Sequence, residues 1–439
     1  MTYSRNNALY LPAVQPNYAG FDANTGRLGW YDDTIHNFLK DNGGLYYPQA
    51  LYSAGHAEWD LSRSREKEPM IHDRSDESIL VADSGGFQIA EGNWQVDWGN
   101  WLDAENLRHS ILNWQESGFD YAMTLDLPPW AIEKGQVPFT TMRECLDVTK
   151  ENLDFIRDNR KGNAKFLNVL QGETEQDADI WFNEVWQYPF EGWAVAGKSA
   201  RDLELLLRRL IKLRDGHLLT DRDWLHVLGV GSLTVACVLT ECQNQLRELV
   251  NRNLTISFDT SSPSTLTIQK KRMMYGHRDF FSPPTKKGFN PDYYEAPTMR
   301  RHANDNRTLF DFMAREGERT PTHVSSQIHL SDLCREKGSV WDGLSYFLIT
   351  NHNYEVFFNM LDHAYTAYHR GNHQYLPREL FYFKEEIAPE IFKSETPMTT
   401  IKRHATTLKR LRLCNTTYKP EPNHAFTGWP VSDYTPVWK

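Results

Sequence analysis

Short apolar runs rich in β-branched and aromatic residues alternate with longer amphipathic segments through residues 1–259. The amphipathic segments repeat apolar residues at i, i+3, i+4 and i+7, which predicts helices over Trp101–Glu116, Met142–Asn159, Asp177–Trp186, Arg201–Leu213 and Leu233–Val250. The short runs predict strands at Ala8–Val14, Gly44–Tyr47, Ile79–Ala82, Tyr121–Leu125, Lys165–Leu170, Trp193–Ala196, Leu225–Leu228 and Leu254–Phe258. Eight strands alternating with helices predict an α/β fold, the (β/α)₈ TIM barrel.

The pattern changes after residue 259. The segment 260–306 has no clear periodicity and is rich in Pro, Gly and Tyr, which predicts a long basic loop inserted after strand 8. Helical patterning resumes at Leu309–Arg315 and is strongest in Trp341–His369, so 307–439 is predicted to be a mostly helical part that packs on the barrel. The loop supplies the candidate nucleic-acid-binding residues Lys270, Lys271, Arg272, Arg278, Lys286 and Lys287.

A second basic cluster lies on a predicted helix near the C-terminus and comprises Lys402, Arg403, His404, Lys409, Arg410 and Arg412. Both clusters suit contacts to phosphates, although a solvated surface would have the same composition. The chain as a whole carries a net charge of −10, which argues against a protein that coats nucleic acid. An enzyme that engages nucleic acid through a local basic face remains compatible with this charge.

Composition sets two further expectations. Hydrophobic residues make up 40% of the 439 residues, as in ordinary globular proteins, and no apolar window approaches the roughly 18 residues that span a bilayer. Five cysteines without a CxxC pair favour a reducing compartment. We therefore expect a cytoplasmic protein, in a bacterial cell or a phage-infected host, with no membrane role.

Polar residues follow the predicted strands at the points where each strand ends. Asp83 to Gln88 follows the third strand, Asp126 the fourth, Gln171 to Glu173 the fifth, Gly197 the sixth and Asp259 the eighth. In such barrels the carboxyl ends of the strands share one rim and carry the chemistry. Carboxylates there accept from the N–H groups of a guanine-like base, and an amide or a backbone N–H donates to its carbonyl oxygen. Each residue taken alone could instead cap a helix or shape a turn.

The same segments resemble, in order, the motifs of the tRNA-guanine transglycosylase superfamily, whose members are TIM barrels. DSGGFQ at Asp83–Gln88 is similar to the family signature. The further matches are MTLDLPP at Met123–Pro129, VLQG at Val169–Gly172, AVAG at Ala194–Gly197, LGVGS at Leu228–Ser232, SFDTSSP at Ser257–Pro263 and LITNHN at Leu348–Asn353. The resemblance spans about Ala8 to His369.

The resemblance implies a role for each matched residue. Asp259 would attack C1′ of a target nucleotide and form a covalent glycosyl-enzyme, with Asp83 assisting by proton transfer. Asp126 would contact the N1/N2 edge of the base, and Gln171 with the Gly197 backbone would contact O6. Ser84, Gly85 and Phe87 would complete the base pocket. The target nucleotide must leave its stack, which requires a flipped or single-stranded substrate.

One departure from the family concerns zinc. The tRNA enzymes hold a structural zinc through a CxCxxC cluster and a later histidine, which His352 matches, but no such cluster precedes it here. The residues that could form a substitute site are His323, His329, Cys334 and His352. No cofactor is required for the chemistry that the family performs.

The missing cluster and the basic segments favour the DNA-modifying branch of the superfamily, which exchanges guanine in DNA for a 7-deazaguanine such as preQ0. The expected partners are DNA, a 7-deazaguanine base and the other proteins of a DNA-modification system. A tRNA-guanine transglycosylase with a divergent zinc subdomain is the alternative enzyme. A catalytically silent nucleic-acid-binding subunit is the alternative of another class.

Overall fold

The first eight strands form a closed barrel in which every neighbouring pair is parallel. The structure is a computed structural model that describes residues 6–21, 37–42, 44–94, 96–135, 137–268, 272–274, 293–295, 305–315, 321–333, 342–371 and 376–413. The barrel strands are β1 (Leu9–Val14), β2 (Gln49–Ser53), β3 (Ile79–Asp83), β4 (Tyr121–Met123), β5 (Lys165–Leu170), β6 (Gly192–Val195), β7 (Trp224–Val227) and β8 (Thr255–Thr260). The predicted (β/α)₈ barrel is therefore confirmed.

Helices follow the strands and cover the outside of the barrel. The longer ones are Trp101–Gln115, Met142–Asn159, Glu175–Val185, Leu203–Asp215 and Leu233–Leu249. Shorter helices occupy Pro16–Ala19, Leu61–Lys67, Pro69–His72, Gly86–Ala90, Ala131–Lys134 and Gly197–Arg201. The helix Met142–Asn159 begins where the sequence predicts, because Thr141 and Glu144 form a capping box in which each side chain accepts from the other's backbone N–H.

The prediction of the second strand was wrong. Residues Gly44–Tyr47 lie outside the sheet, and Gln49–Ser53 pairs with β1 and β3 instead. The Tyr47 ring stacks on Phe358 with a centroid distance of 3.9 Å, so the aromatic run packs against the C-terminal part rather than in the barrel. Packing between distant parts of the chain thus decided which apolar run became the strand.

Side chains alternate along each barrel strand between the inside and the outside. One buried apolar cluster fills the barrel and takes its members from strand after strand: Leu11, Leu51, Val81, Met123, Leu167, Val169, Ala194, Ala196 and Trp224. A second, larger cluster lies between the barrel and its helices. Since successive residues of a strand point to opposite faces, a residue two positions after an inner one also points inward. By this rule four polar side chains near the strand ends point inward, each two positions after an inner residue: Ser53 after Leu51, Asp83 after Val81, Gln171 after Val169 and Asp259 after Ser257.

The chain beyond the barrel is largely helical where it is described. The range 260–306, predicted as a loop, begins with the helix Ser262–Ile268 and contains β9 (Arg272–Met274), which pairs antiparallel with β10 (Tyr293–Glu295). The other described elements of this part are helices at Leu309–Arg315, His323–Gln327, Gly343–His369, Arg378–Tyr382, Ala388–Lys393, Pro397–Arg403 and Ala405–Leu413, a π-helix at Phe383–Ile387 and a 3₁₀ helix at Leu330–Asp332. Within the barrel, a further 3₁₀ helix, Ala54–His56, follows β2.

The helix Gly343–His369 joins this part to the barrel. Its Tyr365 hydroxyl donates to the carbonyl oxygen of Ala8 over 2.7 Å, and its Tyr368 hydroxyl donates to Glu241 over 2.8 Å. These bonds attach it to the start of β1 and to the helix Leu233–Leu249. Among the described residues, no helix is both long and apolar enough to cross a bilayer.

Candidate functional site

Asp83 ends β3 and points to the carboxyl rim of the barrel. Its Oδ2 accepts a hydrogen bond from Ser53 Oγ of the neighbouring strand at 2.7 Å. The side chain is partly exposed at the rim, but protein surrounds the carboxyl group. This burial raises the pKa of Asp83, and the negative charge of Asp259 raises it further against the opposing effect of the Ser53 bond. Asp83 is thus suited to hold a proton at the rim.

The two glycines after Asp83 allow a close approach to the next rim residue. Gly85 has φ +81°, in the left-handed region that favours glycine. A Cβ on Gly86 would lie only 2.5 Å from the carbonyl oxygen of Asp126. Ser84, before this pair, is buried with 1% of its surface exposed. The segment Ser84–Phe87 therefore brings β3 against the segment after β4.

Phe87 lies at the outer edge of this region. Its side chain is 57% exposed, and its ring centroid is 5.4 Å from that of Trp130. Lys134 lies over the Trp130 ring, with Nζ 5.7 Å from the ring centroid, and also contacts Glu91. The predicted pocket-lining residue is thus an exposed aromatic beside the rim.

Asp126 and Gln171 form a buried hydrogen-bonded pair across the rim. Gln171 Nε2 donates to Asp126 Oδ2 over 2.7 Å, and the two residues are 6% and 4% exposed. Burial raises the pKa of Asp126 to about 7, although the bond from Gln171 opposes this, and the negative charge of Asp83 adds to it. At neutral pH the Asp126 carboxyl therefore exists in both protonation states.

Gly197 lies directly against this pair. Its φ is +63°, and a Cβ there would approach Gln171 Oε1 to 2.6 Å and Glu173 Oε1 to 3.2 Å. These two oxygens are buried and accept no hydrogen bond within the described part of the chain. The orientation of the Gln171 amide follows from its donation to Asp126, so its oxygen faces Gly197. Both oxygens are therefore acceptors for N–H donors.

Asp259 lies in β8 next to the end of β7. Its Oδ1 accepts from the backbone N–H of Gly229 at 2.7 Å and lies 3.2 Å from His226 Nε2. Within the described residues, its Oδ2 has no hydrogen-bond partner. The side chain is 15% exposed. One carboxylate oxygen is therefore held while the other is left for a ligand.

Sequence reasoning missed His226 and gave Glu173 no role. His226 is fully buried and contacts Asp259. The alternation in Leu225 to Val227 was a usable signal, because a histidine between two outward apolar residues must face the barrel interior. Glu173 follows the glutamine-glycine turn, and only the approach of Gly197 shows that it belongs to the site.

The predicted zinc residues do not fit a metal where they are described. Both ring nitrogens of His352 form hydrogen bonds, Nε2 to the carbonyl oxygen of Met274 at 2.8 Å and Nδ1 to Thr322 Oγ1 at 3.1 Å. His323 lies beside Gln327, and His329 lies beside Asp332. Cys334 lies outside the described residues. The described part of the chain contains no group of three or more His, Cys, Asp or Glu that could hold a metal ion.

The predicted nucleic-acid-binding residues lie mostly outside the described part of the chain. Arg272 begins β9, whereas Lys270, Lys271, Arg278, Lys286 and Lys287 fall in ranges that are not described. The second basic cluster lies on the helices Pro397–Arg403 and Ala405–Leu413. There Arg403 and His404 both contact Glu390, while Lys402, Lys409, Arg410 and Arg412 are exposed.

Comparison of the chain with models of known protein families and with curated proteins gives no match. The groups at the carboxyl rim of the barrel indicate which reactions this site can support. The rim combines an acid whose pKa is raised, a carboxylate of which one oxygen has no hydrogen-bond partner in the described part of the chain, and a buried carboxyl–amide pair with further acceptors. This set can bind a ligand rich in N–H donors and can support nucleophilic and acid–base steps.

Proposed function

We propose that this chain is a guanine transglycosylase that exchanges guanine in DNA for a 7-deazaguanine base. The observation that carries the proposal is the pairing of Asp259 with Asp83 at one rim. Asp259 presents an Oδ2 that accepts from none of the described residues, while the pKa of Asp83 is raised by burial and by the charge of Asp259. A carboxylate nucleophile beside a proton-holding carboxyl is the pair that a double displacement at a sugar carbon uses.

In the first step Asp259 Oδ2 attacks C1′ of the target nucleotide. The C1′–N9 bond breaks, and its electron pair leaves with guanine. Protonated Asp83 gives its proton to the departing base, so guanine leaves neutral and Asp83 becomes a carboxylate. The product of this step is an ester between Asp259 and the sugar.

The second step is the reverse reaction with a different base. The N9–H of a 7-deazaguanine gives its proton to the Asp83 carboxylate, and N9 attacks C1′. The C1′–O bond to Asp259 breaks, and its electron pair returns to the carboxylate. Both aspartates regain their starting states, so no further reactant is consumed.

Base recognition is assigned to the Asp126–Gln171 pair. An ionised Asp126 accepts from the N1–H and N2–H groups of a guanine edge, and Gln171 Nε2 can then donate to O6 instead of to Asp126. Gly197 leaves room for a flat base against Gln171, because a Cβ there would lie 2.6 Å from the amide oxygen. These groups suit a guanine skeleton and do not distinguish guanine from its 7-deaza analogues.

The choice of DNA rests on the resemblance and on the departure from it. The family's tRNA enzymes use a zinc subdomain, whereas the histidine that matches its ligand here is engaged through both ring nitrogens in protein hydrogen bonds. The exposed Phe87 beside the rim offers a face on which a neighbouring unstacked base can lie. A flipped or single-stranded target would bring such bases to the rim.

Base exchange is the direct test. The protein would be incubated with radiolabelled guanine or a labelled 7-deazaguanine in two parallel reactions, one that contains DNA and one that contains tRNA. We expect label in DNA with the wild type and none with Asp259→Asn. Asp147→Asn is the matched control, because Asp147 is exposed on an outer helix. Label in tRNA alone would overturn the choice of DNA, and label in neither polymer would overturn the proposed function.

A further inference from the structure

Four polar groups form a continuous chain across the two neighbouring strands β7 and β8. Trp224 Nε1 donates to Ser257 Oγ over 2.8 Å, and Ser257 Oγ lies 2.8 Å from His226 Nδ1. His226 Nε2 lies 3.2 Å from Asp259 Oδ1. The register pairs His226 with Ser257, and all four side chains face the barrel interior.

Two neighbours of His226 determine the position of its proton. An indole N–H can only donate, so Ser257 Oγ accepts from Trp224 and can either donate its own hydrogen to His226 Nδ1 or accept a second hydrogen bond from it. The Asp259 carboxylate near Nε2 can only accept, and this decides between the two arrangements. The neutral imidazole then carries its hydrogen on Nε2, which points at Asp259. The opposite tautomer would place the Nε2 lone pair against a carboxylate oxygen 3.2 Å away, which is repulsive. In the imidazolium form Nε2 also donates to Asp259.

The two carboxylate oxygens of Asp259 therefore differ in the hydrogen bonds that they accept. Oδ1 accepts from two donors held by different elements, the Gly229 backbone and the His226 ring, while Oδ2 accepts from none of the described residues. His226 is fully buried within β7, and Gly229 lies in the turn that follows the strand. Rotation of the carboxylate about its χ2 angle would break both bonds.

We propose that His226 is a positioning residue, which holds Oδ1 of Asp259 through Nε2–H so that Oδ2 faces the substrate. The Asp259 carboxylate favours the tautomer that can do this, and Ser257, which accepts from Trp224, then donates to the other ring nitrogen, which completes a relay from Trp224 to Asp259. The assignment rests on the proposed function, in which Asp259 is the nucleophile. His226 acts through Asp259 and does not itself touch the substrate.

Two substitutions at one position separate a positioning role from a structural one. His226→Gln keeps an N–H donor near the place of Nε2, whereas His226→Asn keeps one near the place of Nδ1 and loses the contact to Asp259. Both remove the same ring, so both should lower the thermal unfolding temperature similarly. The measurement is the single-turnover rate of covalent adduct formation with a guanine-containing oligonucleotide, followed on a denaturing gel.

We expect His226→Gln to form adduct within about threefold of the wild-type rate and His226→Asn to be slower by about 100-fold, the loss that a misplacement near 1 Å causes. The concentration of oligonucleotide that gives half the maximal rate should be the same in both. Equal rates for the two variants would overturn the positioning role. Variants that differ only in the oligonucleotide concentration at half-maximal rate would overturn it as well.

Failure of the proposed function is distinguished by a readout that needs no activity. If the wild type forms no adduct and exchanges no base, the proposed function falls. The relay is then judged by ¹⁵N spectra of histidine-labelled protein, in which the signal absent from His226→Gln is that of residue 226. A proton on Nε2 supports the relay, and a neutral ring with its proton on Nδ1 overturns it. Ser257→Ala, which removes the donor to Nδ1, should change that signal.

Discussion

Gln171 donates from Nε2 to Oδ2 of Asp126 over 2.7 Å, and both side chains are buried at the rim of the barrel. The bond favours the ionised carboxylate, but burial disfavours it more strongly, so the pKa of Asp126 rises to about 7 from its ordinary value of 3.8. A buried carboxyl group at this rim therefore changes charge near neutral pH.

The first prediction concerns stability. Between pH 4 and 7 the folded protein holds the Asp126 proton and the unfolded chain does not, so the contribution of Asp126 to the free energy of unfolding falls as the pH rises through this window. Asp126→Asn should remove this contribution, on the order of 4 kcal/mol, because the pKa differs by about 3 units from its ordinary value and each unit is worth about 1.4 kcal/mol. Denaturant unfolding at several pH values measures it. Asp147→Asn should keep the wild-type slope, and an unchanged slope in Asp126→Asn would contradict the assignment.

The second prediction concerns the base. If ionised Asp126 accepts from the guanine edge, guanine binding should strengthen as the pH rises from about 6 to 8, across its pKa of about 7. Calorimetric titration of guanine at several pH values would show this rise. Asp126→Asn should bind guanine weakly at every pH. A pH-independent affinity in the wild type would mean that another group reads this edge.

The third prediction uses two glycines with the same backbone conformation. Gly197 has φ +63° and Gly135 has φ +64°, but a Cβ would meet the Gln171 amide only at Gly197 and nothing within 4 Å at Gly135. Both alanine variants should lose about 1 to 2 kcal/mol of stability from the left-handed conformation. Only Gly197→Ala should also lose guanine binding, by more than about tenfold. Equal binding by the two variants would remove Gly197 from the base site.

The fourth prediction concerns His352 in the C-terminal part. Burial lowers its pKa to about 4 from 6.5, so below pH 6.5 the unfolded chain binds a proton that the folded protein excludes. The contribution of His352 to stability should therefore be lost as the pH falls from about 6.5 to 4, by up to about 3 kcal/mol. His352→Asn should start less stable, because the bonds to Met274 and Thr322 are altered, but should show a smaller acid-dependent loss. Thermal unfolding across this pH range checks both effects.

The fifth prediction concerns the exposed aromatic at the rim. Phe87→Ala should change the unfolding temperature little, because the ring is 57% exposed, yet weaken binding of a single-stranded oligonucleotide by about 1 to 3 kcal/mol. Trp186→Ala is the matched control, since Trp186 is 40% exposed and follows the far end of the helix Glu175–Val185. Fluorescence anisotropy with a labelled oligonucleotide measures both. Equal losses of oligonucleotide affinity in the two variants would show that the position of Phe87 beside the rim does not matter for binding.

The barrel could be predicted from the sequence because its signals are local. Periodicity located seven of the eight strands and the five long helices to within a few residues, and a capping box defined the start of Met142–Asn159. The exception, β2, was misplaced because Gly44–Tyr47 and Gln49–Ser53 are similarly apolar over a short span. Their difference lies in contacts with β1, β3 and Phe358, which no local window contains.

The placement of four rim residues was likewise determined by the sequence. Asp83, Asp126, Gln171 and Asp259 lie at the ends of parallel strands, and parallel strands in a barrel must end at the same rim. What only the tertiary structure decided is the state of each group. The Asp126–Gln171 bond joins residues 45 positions apart, and the His226–Asp259 contact joins residues 33 apart. The charge of Asp126, the tautomer of His226 and the choice of which Asp259 oxygen accepts from the described residues all depend on such neighbours. The reason is that burial and hydrogen bonding act through space and not along the chain.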